Sequence, residues 1–367
     1  MNITISPKDQ TPKVSIGMGV PPLITTIIPT YRRPKLLARA IKSALNQTYP
    51  HLRVCVYDDA SNDETAEVVA DLVKKDARVS YYCHSKNVGS AGNYNYALKN
   101  IRTPFFSLLG DDDILLPEFY ETAINALHKY PEAAFYATQV INMHPDGSIR
   151  ATNNSAWGDG YYLPPEGLLA MLENGRQPPI WTGTLFRTIV IEHIGLLDEE
   201  VGGTYDIDYS QRIATRFSYV KSKVPGAIYF SNPSSESTCT DHGLTWPGSL
   251  KMIRNLTDDR RIPSFIRKQA SIYLMKALKL RIIRYGKQYI IAKQYDNAYN
   301  MANILYRDLG AKLWALMIYT TAKCCRRFPC LHDVLLYFIG LRRRLSFRKR
   351  EILVPPDEKY AHYLNGI

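Results

Sequence analysis

The sequence predicts an α/β fold with a parallel sheet and helices on both faces. Three observations carry that prediction. Four short apolar, β-branched runs alternate with three segments whose apolar residues recur at helical spacing between residues 23 and 109. Each run ends in a polar cluster. Apolar content of 46% and charged content of 22% are ordinary for a globular chain, so disordered and fibrous classes are excluded.

Residues 1–22 are polar, contain Pro and Gly and lack an apolar h-region, so a loose leader is expected and not a signal peptide. Residues 23–29 are apolar without alternation, as in a strand buried on both faces. Pro34 suits the first turn of a helix, and Leu37, Ala40, Ile41 and Ala44 continue it to about Asn46. The second strand spans residues 52–57. Ser61 and Glu64 read as a capping box that opens a helix carrying Val69 and Leu72. Residues 79–83 form a third strand, 91–100 a helix and 105–109 a fourth strand. A helix from Glu118 to Lys129 and an alternating strand over 133–141 follow. The Gly-, Asn- and Pro-rich stretch 142–180 reads as a long loop lining an acceptor cleft. Past about residue 250 the pattern becomes helical and basic, with a boundary placed near Pro263. Three parts are therefore expected: 1–22, 23–262 and 263–367.

Parallel sheets bind ligands beyond the carboxyl ends of their strands. Those positions hold Pro29, Thr30 and Tyr31; Asp58 and Asp59; Lys86 and Asn87; and Asp111, Asp112 and Asp113. No Gly-rich dinucleotide fingerprint follows the first strand, which argues against a dinucleotide-binding unit. Three adjacent carboxylates repel one another unless a cation neutralises them, and hard divalent ions prefer oxygen ligands. A metal there would clamp a diphosphate.

Charge divides the chain. From Lys251 onward 24 Lys and Arg meet 8 Asp and Glu, whereas the preceding part has 22 against 26. Six cysteines show no paired framework, so reduced thiols in a cytoplasmic setting are expected. The longest apolar candidate, 313–322, falls well short of the ~18–20 residues that span a bilayer.

The segments TIIPTYRRPKLLARAIKSALNQTYPHLRVCVYDDASND, NVGSAGNYNYAL, FFSLLGDDDILLP, GTLFRTIVIEHIGLLDE and YDIDYSQRI occur in this order over roughly residues 23–215. Together they resemble the family 2 glycosyltransferases, inverting enzymes with the GT-A fold, a Rossmann-like nucleotide-diphospho-sugar transferase architecture. The resemblance implies that Pro29, Thr30, Tyr31, Asp59 and Asn87 bind the donor nucleotide. The chemistry suits it, because a carboxylate accepts the N3–H of uracil or thymine and a tyrosine stacks on the base. It also implies Asp111 and Asp112 on ribose or phosphate, and Asp112 or Asp113 as ligand to Mn²⁺ or Mg²⁺, with the register open. His242 is a candidate third ligand. Asp206, six residues before Arg212, matches the family's catalytic base, and Asp208 competes because Tyr205 stands where the family has glutamate. Trp181, Thr182, Gly183 and Asp208 are expected on the acceptor side.

The implied partners are a nucleoside diphosphate sugar, UDP- or dTDP-linked, and a glycan or lipid-linked glycan of a bacterial surface polysaccharide. The alternative is a catalytically silent GT-A-like module that binds at a membrane surface. In the basic tail, Arg326, Arg327, Arg342–344 and Arg348–350 (with Lys349) flank short apolar helices. Such helices suit peripheral attachment to the anionic inner face of the cell membrane, or packing on the catalytic domain with a solvated basic face. Nucleic acid is disfavoured, because the cations do not interleave with exposed aromatics on a sheet.

Overall fold

A computed structural model describes residues 21–144, 149–150, 158–173, 180–230, 245–346 and 353–354. Four parallel strands lie at its centre: β1 (Ile24–Thr30), β2 (Leu52–Asp58), β3 (Val79–Cys83) and β4 (Phe105–Leu108). Helices α1 (Pro34–Leu45), α2 (Thr65–Lys75) and α3 (Ser90–Lys99) connect them. β1 is flanked by β2 and β4, and Ile27 pairs with Leu108. Chain segments leaving β1 and β4 therefore emerge side by side.

The rest of the sheet is mixed. Strand β5 (Ile114–Leu115) and helix α4 (Phe119–Lys129) lead into β6 (Ala133–Met143). After β7 (Ile149–Arg150), β8 (Gly160–Tyr162), α5 (Glu166–Leu172) and a 3₁₀ turn over Trp181–Gly183, strand β9 (Thr184–Arg187) inserts antiparallel between β4 and β6. Helices α6 (Ile189–Ile194) and α7 (Tyr205–Ala214) precede β10 (Ser218–Phe230), which pairs with β6, β5 and β8. The expectation of a parallel sheet thus holds for β1–β4 and for the β6–β10 pair, whereas β5, β7, β8 and β9 pair antiparallel. β6 does not alternate: it lies between β9 and β10 and is buried along most of both faces.

The capping box expected at Ser61 and Glu64 is absent. Asp58 Oδ1 takes both the Ser61 hydroxyl (2.5 Å) and its amide (3.0 Å), and Asp63 accepts the Thr65 amide at 2.9 Å instead. The serine closes a turn beyond β2, so the helix begins later.

Two apolar layers cover the sheet. On one face Ile24, Ile28, Leu37, Val54 and Tyr120 pack together. On the other, Ile27, Phe106, Phe135 and Phe186 join a cluster that continues through α8 (Trp246–Thr257) into α9 (Ser264–Ile291), α10 (Tyr295–Arg307) and α11 (Lys312–Arg327). Buried Ile266, Ala270, Leu274, Leu278 and Ile282 form a single stripe on α9. Each such aliphatic side chain contributes about 1.5–3 kcal/mol on full burial. Apolar packing therefore crosses Pro263 without a gap. Helix α12 (Pro329–Ser346) and strand β11 (Leu353–Val354) complete the described chain. Among the described residues the cysteines are free thiols.

Candidate active site

Adjacency of β1 and β4 brings Thr30 against the triple aspartate. Thr30 donates its hydroxyl to Asp111 at 2.9 Å. Arg33, just past β1, places one guanidinium nitrogen 3.1 Å from Asp111 and 3.0 Å from Asp112. Arg39 donates to the Asp112 carbonyl at 2.7 Å while its guanidinium lies 4.1 Å from the Phe230 ring centre. Asp113 accepts the Thr182 hydroxyl and, at 3.0 Å, the Phe230 amide.

All three carboxylates are buried. Loss of water pushes Asp111 up to about 6 in spite of Arg33, and burial beside Asp112 raises Asp113 further above the usual carboxylate range. Burial thus favours the neutral form of these carboxyls, and a cation bound beside them would favour the charged form. Gly110 leaves a cradle in this rim of carboxylates: a Cβ there would stand 2.9 Å from Asp113 Oδ2 and 3.3 Å from Asp112 Oδ1. Three adjacent oxygen-donor side chains and this cradle fit a hard divalent cation. Among the described residues no three His, Cys, Asp or Glu side chains form a metal cluster by themselves. One or two carboxylates, completed by water and substrate phosphate, is the common arrangement for Mg²⁺.

Beside the rim opens a cleft of about 440 Å³, lined by Pro29, Tyr31, Asp59, Asn87, Tyr94 and Asp111 among others. That is the size of a small-molecule site. Tyr31 presents an exposed ring. Asp59 accepts the Val88 amide at 2.6 Å and the Gly89 amide at 2.9 Å, and Asn87 donates to its carbonyl. Gly89 adopts φ +80°, a conformation that glycine takes without penalty. Each Asp59 oxygen keeps a second lone pair for a ligand. Asp58, bonded to Ser61 and to the Tyr81 hydroxyl at 2.6 Å, is a turn-forming residue.

Asp206 stands half-buried in the first turn of α7. Tyr94, from α3, lies within electrostatic range of both Asp206 and the rim. Burial raises the Tyr94 hydroxyl well above its ordinary range, and the charges of Asp111, Asp113 and Asp206 add to that rise. Carboxylates of both regions thus act on one cleft-lining side chain.

Four acceptor-side expectations need correction. Asp208 is fully buried, 2.7 Å from Arg212 Nε and 2.9 Å from Asn255 Nδ2, so an acceptor cannot reach it. Trp181 is a core residue that packs edge-on against Tyr94 and donates to Ser210 at 3.1 Å. Thr182 is buried and holds Asp113. Gly183 is a packing position, where a Cβ would come within 2.5 Å of Thr138 Oγ1. His242 lies outside the described residues, as does part of 142–180. The sequence reading missed Arg33, Arg39 and Tyr94. Two arginines directly beyond β1 were the available signal for the first; nothing in the spacing marked Tyr94.

Residues 25–195 match glycosyl transferase family 2. A Campylobacter jejuni GalNAc(5)-diNAcBac-PP-undecaprenol beta-1,3-glucosyltransferase is 41% identical over 96 residues, 26% of this chain and 31% of that protein. The matched curated relatives are each covered over only 14–33% of their length. Staphylococcus aureus TarS 1-349 in complex with UDP-GlcNAc superposes with a TM-score of 0.61 at 14% identity, over 83% of this chain and 92% of that one. The mannosyltransferase PcManGT of Pyrobaculum calidifontis, in complex with GDP-Man and Mn²⁺, gives 0.50 at 17% identity, over 90% and 88%. These likenesses identify the fold as GT-A with following helices.

Proposed function

We propose, from the match of residues 25–195 to glycosyl transferase family 2, that the protein moves one sugar, with inversion, from a nucleoside diphosphate sugar to a hydroxyl. The observation that carries this reading is the meeting of Thr30, Arg33, Asp111 and Asp112 at the mouth of a cleft that also holds Asp59 and Tyr31.

In this reading Tyr31 stacks on the base and Asp59 accepts its ring N–H, while Pro29, Thr30 and Asn87 shape the walls. Arg33 and Asp111 position ribose and diphosphate. Asp112 and Asp113 would hold Mn²⁺ or Mg²⁺, whose contribution when bound is to stabilise negative charge on the departing nucleoside diphosphate. Asp206 removes the proton from the acceptor hydroxyl as that oxygen attacks the anomeric carbon from the face opposite the leaving phosphate oxygen. The carboxylate then carries the proton while the diphosphate keeps the bonding electrons.

UDP is the favoured nucleotide, supported by the UDP-GlcNAc complex of TarS. The acceptor is a glycan or lipid-linked glycan of a bacterial surface polysaccharide, supported by the lipid-linked acceptor in the name of the Campylobacter relative. Residues 23–262 form the catalytic unit and the helices after Pro263 support it. The test is Asp206→Asn. Transfer to acceptor should cease while UDP binding, read by calorimetry, stays within about twofold of the unaltered protein. Near-normal turnover would refute the base assignment. Failure of the unaltered protein to release UDP from any UDP-sugar would favour the silent-module alternative.

A further inference from the structure

Helix α11 carries two apolar stripes on opposite sides. The first, Ala315, Ile318, Ala322 and Cys325, is buried among α9, α10 and its own helix. Gly286 of α9 makes room for it: a Cβ there would lie 2.7 Å from Ile318 Cδ1. This seat fixes which way α11 faces. The second stripe points outward, with Leu313 70%, Leu316 60% and Met317 49% exposed. It continues at helical spacing through Thr320 and Cys324, and exposed Lys323 and Arg327 close its C-terminal end. Leu331 and Val334 at the start of α12 are also exposed. A surface helix normally needs one apolar stripe, and a second marks a place for another partner.

Charge identifies that partner. From Lys312 to Arg350 the chain has ten Lys and Arg and a single acid, Asp333. A second copy of this chain would bring the same positive charge and be repelled. Nucleic acid would meet the charge but leave Leu313, Leu316 and Met317 against a polar backbone. An anionic bilayer satisfies both, through acyl chains for the leucines and lipid phosphates for the cations. Among the described residues no helix is long and apolar enough to cross a membrane, so the contact is interfacial.

We propose that α11 and the start of α12 rest on an anionic lipid surface, with Leu313, Leu316 and Met317 at the headgroup boundary and Lys323 and Arg327 on lipid phosphates. The contact needs no glycosyl transfer, so it is tested apart from the cleft. The full chain is floated with phosphatidylcholine vesicles and with vesicles containing one third phosphatidylglycerol. It should bind the anionic vesicles only, and more weakly as salt rises. Leu313→Glu/Leu316→Glu, both at exposed positions and checked by thermal melting, should weaken binding about tenfold or more. Lys323→Gln/Arg327→Gln should weaken it roughly fivefold per cation.

Equal binding to both vesicle types, or full binding by both double variants, overturns the proposal. It is overturned as well if the leucine variant abolishes concentration-dependent self-association in sedimentation velocity, or if an oligonucleotide displaces the protein from vesicles and still binds that variant.

Discussion

Asp206 and Asp208 are two residues apart on one helix and have opposite fates. A two-residue step turns the helix by about 200°, so the two carboxylates leave it on opposite sides, Asp208 fully buried and Asp206 half-buried. The pairing that decides between them was readable: Asp208 and Arg212 stand at i,i+4 and form a 2.7 Å ion pair. Six-residue spacing to Arg212 is what put Asp206 ahead of Asp208 as the expected base. Asp208→Ala should leave Arg212 buried without its anion and lower stability by about 3–5 kcal/mol, measured by denaturant unfolding. Asp206→Asn should leave stability unchanged. Arg33→Met removes the cation shared by Asp111 and Asp112, and donor affinity should fall about tenfold by calorimetry, the value of one charge-assisted contact. An unchanged affinity would mean that Arg33 is a surface ion pair with no part in donor binding.

Among elements, the β1–β4 region was legible because each strand is a short apolar run and each helix keeps its apolar spacing. Strand direction is not encoded in composition, so the antiparallel entry of β9 between β4 and β6 could not be read. β10 was missed entirely: Lys221, Lys223, Pro225 and Gly226 interrupt any apolar pattern, and its pairing with β6 shifts register at those residues. The turn before β9 also misled. Trp181, Thr182 and Gly183 look like a sugar platform in sequence, yet tertiary contacts turn all three inward. Gly183→Ala would force Thr138 and Val140 apart from the new methyl. The expected cost is about 1–3 kcal/mol in thermal unfolding, with weakened Mn²⁺ response because Thr182 next to it holds Asp113. A Gly183→Ala variant as stable as the unaltered protein would show that this turn has slack.

At the scale of the molecule, an acidic cleft and a basic helical tail share one continuous apolar core. Buried carboxylates at the rim cost folding energy that a bound cation and diphosphate return. Asp111, raised to about 6 by burial, illustrates the exchange: Asp111→Asn should make the free protein no less stable at pH 7 while removing its response to donor. The most direct measurement is the thermal unfolding of the unaltered protein with UDP, TDP or GDP, each with and without Mn²⁺. Binding at one hundred times Kd should stabilise the fold by about 2.7 kcal/mol, require Mn²⁺ for its full size and vanish in Asp111→Asn. Identical unfolding curves with and without every nucleotide would contradict the account.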